Sequence, residues 1–212
     1  MKVQSPKVSE QLTPATWQDL WSEEEPYLQN RILIDSRMDG ETLERVQLTN
    51  MIVKNCSFQH ASLPDLFLTD VRFENCDFSN ADLSRVSIHR ASFRNCKMLG
   101  VNFTDSRFTD VSFEECIGNL CAFVHSKWER VQFEQCQLKD VDFFDCKLKH
   151  TKFSGCNLDQ ASFDETPLKK VEIRTSEFES MTVSMKDLEG CIVSVQQAVQ
   201  FAAMIGLDIR DE

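Results

Sequence analysis

The chain has 212 residues, a formal net charge of -11, 42% hydrophobic residues and only 6 glycines. That length suits one large domain or two small ones. No apolar run approaches the roughly 18 residues of a membrane span, and the opening "MKVQSPKVSEQ" lacks a signal-peptide apolar region, so a soluble cytoplasmic protein is expected. Nine cysteines would suggest disulfides in a secreted chain, so their placement has to decide that point.

In chain order, the first predicted element lies in "TPATWQDLWSEEEPYL". Thr13 before Pro14 suits the N-cap and first position of a short capping helix, with Trp17, Leu20 and Trp21 on one face. Residues 1–32 are assigned to this N-terminal cap.

From Leu33 the pattern changes. Stepping by five to Val193 visits 33 positions, of which 32 are Leu, Ile, Val, Met, Phe or Trp, and only Gly118 fails. The positions two earlier hold a second series of small or medium residues, such as Cys76, Ala81, Val86 and Ala91. Neither a helix nor an ordinary strand repeats every five residues. A chain that turns a corner every five does, and four corners close a square coil of 20 residues, stacked at the roughly 4.8 Å spacing of neighbouring strands. The expected fold is an all-β solenoid, a right-handed quadrilateral β-helix of about eight coils over residues 33–193.

All nine cysteines (56, 76, 96, 116, 121, 136, 146, 156 and 191) fall in the small inward position, and six recur at intervals of twenty. Stacked side chains point the same way, with Cβ atoms about 4.8 Å apart, whereas a disulfide needs converging vectors at roughly 3.5–4.5 Å. No C-x-x-C pair offers a zinc site. The cysteines are expected to be core, with no metal and no cofactor.

Gly118 removes one inward side chain while the frame continues. Two outcomes are open: Ile117 or Leu120 turns inward to fill the gap, or Leu99, Ile117 and Leu120 form an outward contact patch beside Gly118.

Folding the sequence modulo twenty assigns the outer residues to faces. One face gathers Asp65, Asp82, Asp105, Asp142, Asp145, Asp164 and Glu165 against Arg85 alone, with Phe144 and Val124 as an exposed apolar pair among them. The next face gathers Arg90, Arg107, Lys127, Arg130, Lys147, Lys149, Lys169 and Lys170 against Asp110 and Glu129. The balances are -6 and +6, which the whole-chain charge conceals. Duplex DNA would carry roughly 17 charges over the same roughly 29 Å, so the acidic face matches DNA in sign and width but not in charge density.

The last element, in "SVQQAVQFAAMIGLDI", is a helix with Ser194 as N-cap and Gly206 as the stop, assigned with the tail to residues 194–212. Val195, Ala198, Val199, Ala202 and Ile205 make its apolar stripe, and Phe201 and Met204 widen it beyond what one rod end should need. A twofold dimer through this helix is expected.

The small-polar-apolar-x-x motif, as in "ADLSR", "VNFTD", "VDFFD" and "CNLDQ", resembles the pentapeptide-repeat family. The cap, the continuous rod and the terminal apolar helix before "GLDI" look like its Qnr-type branch. That resemblance implies a dimeric, DNA-mimicking rod whose acidic face meets DNA gyrase or topoisomerase IV and protects it from quinolones. The branch members with projecting loops differ from this chain, whose frame is unbroken. The alternative is a scaffold or regulator for an unrelated protein partner. Catalysis is not expected, since no GxGxxG, P-loop, nucleophile elbow or HExxH is present. Membrane binding is not expected either. Nor is direct nucleic-acid binding, because the basic face has no interleaved aromatic except the inward Trp128.

Overall fold

Every fifth residue from Asn30 to Lys170 has a left-handed backbone, with φ between 47° and 69°. Those 29 consecutive positions are the corners of the coil. Asn, Asp, Gly and His, the types that enter this region at least cost, hold 19 of them. At Gly100 φ is +66° and an added Cβ would stand 2.9 Å from Asn80 Oδ1, so the Asn80 side chain would have to shift.

The computed structural model describes residues 2–21 and 26–210. Between corners the chain is extended, and each coil pairs in parallel with the one twenty residues on. The long ladder runs β1 (Thr13–Pro14), β2 (Tyr27–Ile34), β3 (Gln47–Lys54), β4 (Phe67–Glu74), β5 (Ser87–Arg94), β6 (Arg107–Glu114), β7 (Lys127–Glu134) and β8 (Lys147–Ser154), adjacent in that order. It covers two sides of the square. The other two are joined by single bridges such as Ser57 to Asp77 and Ser62 to Asp82. The result is the expected right-handed β-helix of about eight coils. The ladder stops at β8 because Pro167 stands where the next strand must donate an amide. Two short strands, β9 (Ala161–Ser162) and β10 (Met181–Thr182), pair on another side.

The interior is a set of columns. Phe73, Phe93, Phe113, Phe133 and Phe153 stack nearly parallel at 4.8, 4.9, 4.5 and 5.2 Å between ring centroids. Phe103, Phe123, Phe143 and Phe163 do the same at 4.9, 5.4 and 4.6 Å. The rung spacing sets this distance, and it coincides with the favourable range for ring pairs.

The cysteines are free and inward-facing; eight are buried and Cys191 is half-buried. Most of their thiols donate to carbonyls of the preceding coil, as Cys116 does to Phe93 O (3.4 Å) and Cys136 to Phe113 O (3.5 Å). Ser106 makes the same contact with Leu83 O. Burial pushes the thiols of Cys56 and Cys146 up to about 11 and that of Cys121 up to about 12.

The N-terminal cap differs from the expectation. Thr13 and Pro14 are not a helix start but strand β1, pairing with Arg31 and Ile32. The helix is a 3-10 turn at Trp17–Trp21, begun by Thr16 N–H donating to Asp19 Oδ2 (2.9 Å). Three residues per turn put Trp17 and Leu20 on the buried side and leave Trp21 49% exposed. Trp17 closes the core edge-on to Phe58 at 5.0 Å. The coil itself begins at Tyr27, inside the segment that the sequence reading assigned to the cap.

Before β1, the chain lies extended along the outside of the rod. Ser9, Lys7 and Gln4 donate backbone amides to Asn50, Asp70 and Asp110, and Pro6 is buried.

Candidate protein-binding surfaces

Residues 65, 85, 105, 125, 145 and 165 occupy one corner column, so the acidic side is an edge of the square with flat strips beside it. Corner residues project outward because the inward positions fall two residues before them and one after. Along this edge Asp65 takes a two-pronged ion pair from Arg85 (2.9 Å for both contacts) and Glu165 takes Lys186 (3.0 Å). Asp145 meets His125 Nδ1 at 3.1 Å. The Arg85 hydrogen bonds hold the Asp65 carboxyl below its ordinary range.

Asp82 and Asp142 have turn duties. Asp82 Oδ1 accepts from Ser84 N–H (3.0 Å) and Asn102 Nδ2 (2.9 Å), and Asp142 Oδ1 accepts from Phe144 N–H (2.9 Å). Among the described residues, Asp105 and Asp164 are exposed carboxylates with no ion pair. Phe144 is half-buried, edge-on to His125 at 5.7 Å. Lys186 lowers the acidic balance from -6 to -5.

The basic face is less uniform than its count. Arg90 and Arg130 are spent on Asp70 and Asp110, and Arg130 and Lys149 share Glu129. Arg107, Lys127 and Lys147 stand in register on β6, β7 and β8, exposed and without a carboxylate partner among the described residues. Trp128 points inward, as expected.

At Gly118 the frame does not slip. Leu138 of the next coil reaches into the gap, its Cδ2 3.1 Å from where a Cβ would stand. Ile117 and Leu120 therefore stay outside, 45% and 58% exposed, which excludes the inward-turning outcome. Leu99 is half-buried beside them.

The C-terminal helix α1 (Val195–Met204) starts as expected. Ser194 accepts from Gln197 N–H and Gln197 returns the bond to Ser194 N–H, a closed capping box, and Gly206 follows the last turn at φ +86°. Its seating corrects one assignment. Phe201 is buried against Phe178 (5.2 Å between centroids), so it caps this rod's own end and does not belong to a dimer face. Gln197 is buried with it, donating to Ile173 O (2.8 Å) and Ser176 O (2.7 Å). The remaining stripe is outward: Val195, Ala198, Val199, Met204 and Ile205 are exposed and Ala202 is half-buried. Beside it lies an apolar groove of about 280 Å³ lined by Met185, Leu188, Val193, Ala202 and Ile205.

The family follows from matches along the coil. Models described as pentapeptide repeat region match residues 66–129 and 126–197, and one described as pentapeptide repeats (8 copies) matches residues 42–80. The chain is a pentapeptide-repeat protein.

Solved pentapeptide-repeat structures with a similar fold include trypsin-treated QnrB1, a plasmid-mediated fluoroquinolone resistance protein. It shows 18% identity and a TM-score of 0.43, with 84% of this chain and 97% of that one covered. HetL, involved in heterocyst differentiation regulation in the cyanobacterium Nostoc, shows 15% identity and a TM-score of 0.38, over 80% of this chain and 90% of that one. A protein of the Arabidopsis thaliana thylakoid lumen shows 19% identity and a TM-score of 0.26, over 64% and 67%. At these identities and TM-scores the likeness supports no further conclusion. No curated protein matches the chain at a significant level.

In this pentapeptide-repeat rod the modulo-twenty folding gathers the acidic residues along one edge, as the register requires. It missed the outer N-terminal segment, whose only sequence signal is a column of Asn50, Asp70 and Asp110 at corner positions. Among the described residues no group of three or more metal-ligating side chains comes together, and no helix is long and apolar enough to cross a membrane.

Proposed function

We propose that the rod is a DNA-mimicking binding protein. Its acidic edge engages a bacterial type II topoisomerase, DNA gyrase or topoisomerase IV, and protects it from quinolones. One observation carries this reading: seven carboxylates stand along one edge of a rigid rod, with the unpaired Asp105 and Asp164 on its outer surface. A rigid array of one sign meets a basic DNA-binding surface without reorganisation, steers encounter, and makes binding salt-sensitive. Phe144 supplies an apolar anchor among the charges. The exposed α1 stripe supports a twofold dimer, which doubles the length of the acidic edge. QnrB1 is a fluoroquinolone resistance protein; for this chain that sets the assay.

The test is gyrase supercoiling in the presence of a quinolone, titrated with this protein. Recovery at micromolar protein supports the reading, and it should be lost on reversing Asp105, Asp145 and Glu165 to Lys. Absence of recovery, with no inhibition of gyrase alone, favours the second reading of a scaffold for an unrelated protein. The outward Ile117 and Leu120 favour that reading, since they lie off the acidic edge.

A further inference from the structure

The outer N-terminal segment rests on a built surface. Its corner column runs Asn50, Asp70, Arg90, Asp110 and Arg130, with acceptors and cations alternating from Asp70 onward. Arg90 clasps Asp70 through Nε (2.7 Å) and Nη2 (2.7 Å), and Arg130 clasps Asp110 likewise (2.8 and 2.9 Å). Each Oδ1 keeps a second acceptor direction, and these take Lys7 N–H (2.8 Å) and Gln4 N–H (3.0 Å). Ser9 N–H donates to Asn50 Oδ1 at 2.7 Å. The spacing explains the match. Three extended residues advance about 10 Å, and two rungs of the rod rise about 9.6 Å, so amides three apart meet carboxylates two rungs apart. Between them Pro6 is buried, and its carbonyl accepts from Arg72 Nη2 at 3.4 Å. Ser92 and Ser112, small outward residues of β5 and β6, leave room for a chain to lie there.

Two features separate this from ordinary terminal packing. The contacts are to main-chain groups, with Pro6 as the one buried side chain, so what is recognised is an extended backbone with a proline at a set step. The surface is also built without the segment's help. Among the described residues Pro6 is the one buried residue before Trp17 and it is not part of the hydrophobic core, and each aspartate has its own arginine.

We propose that this corner is a docking groove for an extended, proline-containing peptide segment of a partner protein, with residues 4–9 as its resident intramolecular competitor. The segment it takes presents amides at the first, fourth and sixth positions and proline at the third. Two nearly buried carboxylates under it disfavour acidic side chains at the buried step. The groove lies at a different corner from the acidic edge, so it serves a different contact from the one proposed above.

The test uses the full chain and a fluorescent peptide of residues 2–12. A Pro6→Asp chain should release its own segment, seen as loss of hydrogen-exchange protection at Gln4, Lys7 and Ser9, with an unchanged thermal midpoint. It should then bind the wild-type peptide at least about tenfold more tightly than the wild-type chain does, since the tethered competitor is gone. Adding Asn50→Ala to that chain should weaken binding several-fold, and a peptide carrying Pro6→Asp should not bind. Equal, weak binding by both chains would overturn the proposal, as would binding indifferent to Asn50→Ala. Should Pro6→Asp leave those amides protected, excess wild-type peptide must still deprotect them in the wild-type chain by taking the groove. Unchanged protection there would overturn the proposal as well.

Discussion

Leu120 shows what the coil asks of single residues. It sits at a corner with φ +62° and is 58% exposed, so an apolar side chain bears the left-handed penalty of about 1–2 kcal/mol for only partial burial. Asn enters this region more easily. Leu120→Asn should therefore raise the thermal midpoint or leave it unchanged, and if the Ile117–Leu120 patch is a contact site, partner binding should fall at undiminished stability. The cysteines make the opposite case, small side chains whose burial and sulfur-to-carbonyl bonds serve the core. With thiols pushed to about 11 or 12 at Cys56, Cys146 and Cys121, a neutral-pH thiol reagent should leave these three unmodified in the native protein and label them in denaturant. In the phenylalanine column, Phe113→Ala removes a ring stacked on both sides and should cost about 3–5 kcal/mol in chemical denaturation. The core preference was legible in the period of five, because each position of the pentad meets the same surroundings in every coil; the left-handed column of corner residues came from the structure.

At the scale of elements, the two ends behave differently from the repeat. In α1, the apolar stripe read from the sequence turns out to face solvent, while a polar residue, Gln197, faces the rod. Periodicity locates an apolar face but not its partner. At the end of the rod Ile173 O, which also accepts from Ser176 N–H, and Ser176 O face the helix, and an amide donates to both where an aliphatic side chain cannot. Gln197→Leu should destabilise the helix end by about 1–3 kcal/mol despite its greater hydrophobicity, seen as loss of helical signal before the main transition. The outer N-terminal segment depends instead on carboxylates. Their arginine partners and the segment's amides lower the folded pKa of Asp70 and Asp110. A depressed folded pKa means this contribution is present above the unfolded value, near 3.9, and is lost as pH falls through the lower folded one. Amide protection at Gln4 and Lys7 should hold down to about pH 5 and vanish only in stronger acid, checked by hydrogen exchange against pH.

The whole molecule is a stack in which each coil touches its neighbours, so its surface is organised in columns and edges. That organisation separates a -11 chain into an acidic edge, a cation ladder at Arg107, Lys127 and Lys147, and a carboxylate–arginine corner under the N-terminal segment. A dimer through α1 should appear in sedimentation at micromolar concentration and should dissociate in Val199→Asp, whose side chain lies on the outward stripe. Phe201→Asp should instead unfold the end of the rod, because Phe201 is buried within one chain.

The amino-acid sequence alone determined the coil, its phase, the inward cysteines and which outer residues share a side, because an unbroken period of five leaves the chain one repeating way to bury its apolar positions. Only the tertiary structure decided what lies on top of that frame. Whether Gly118 slips depended on Leu138 reaching across from the next coil. Which face of α1 seats on the rod depended on the Ile173 and Ser176 carbonyls, about one coil back along the chain. Where the first residues run depended on acceptors brought into line from positions 50, 70 and 110. Each is a contact between residues about twenty or more apart, and a repeat length records that such neighbours exist without saying what they do to one another.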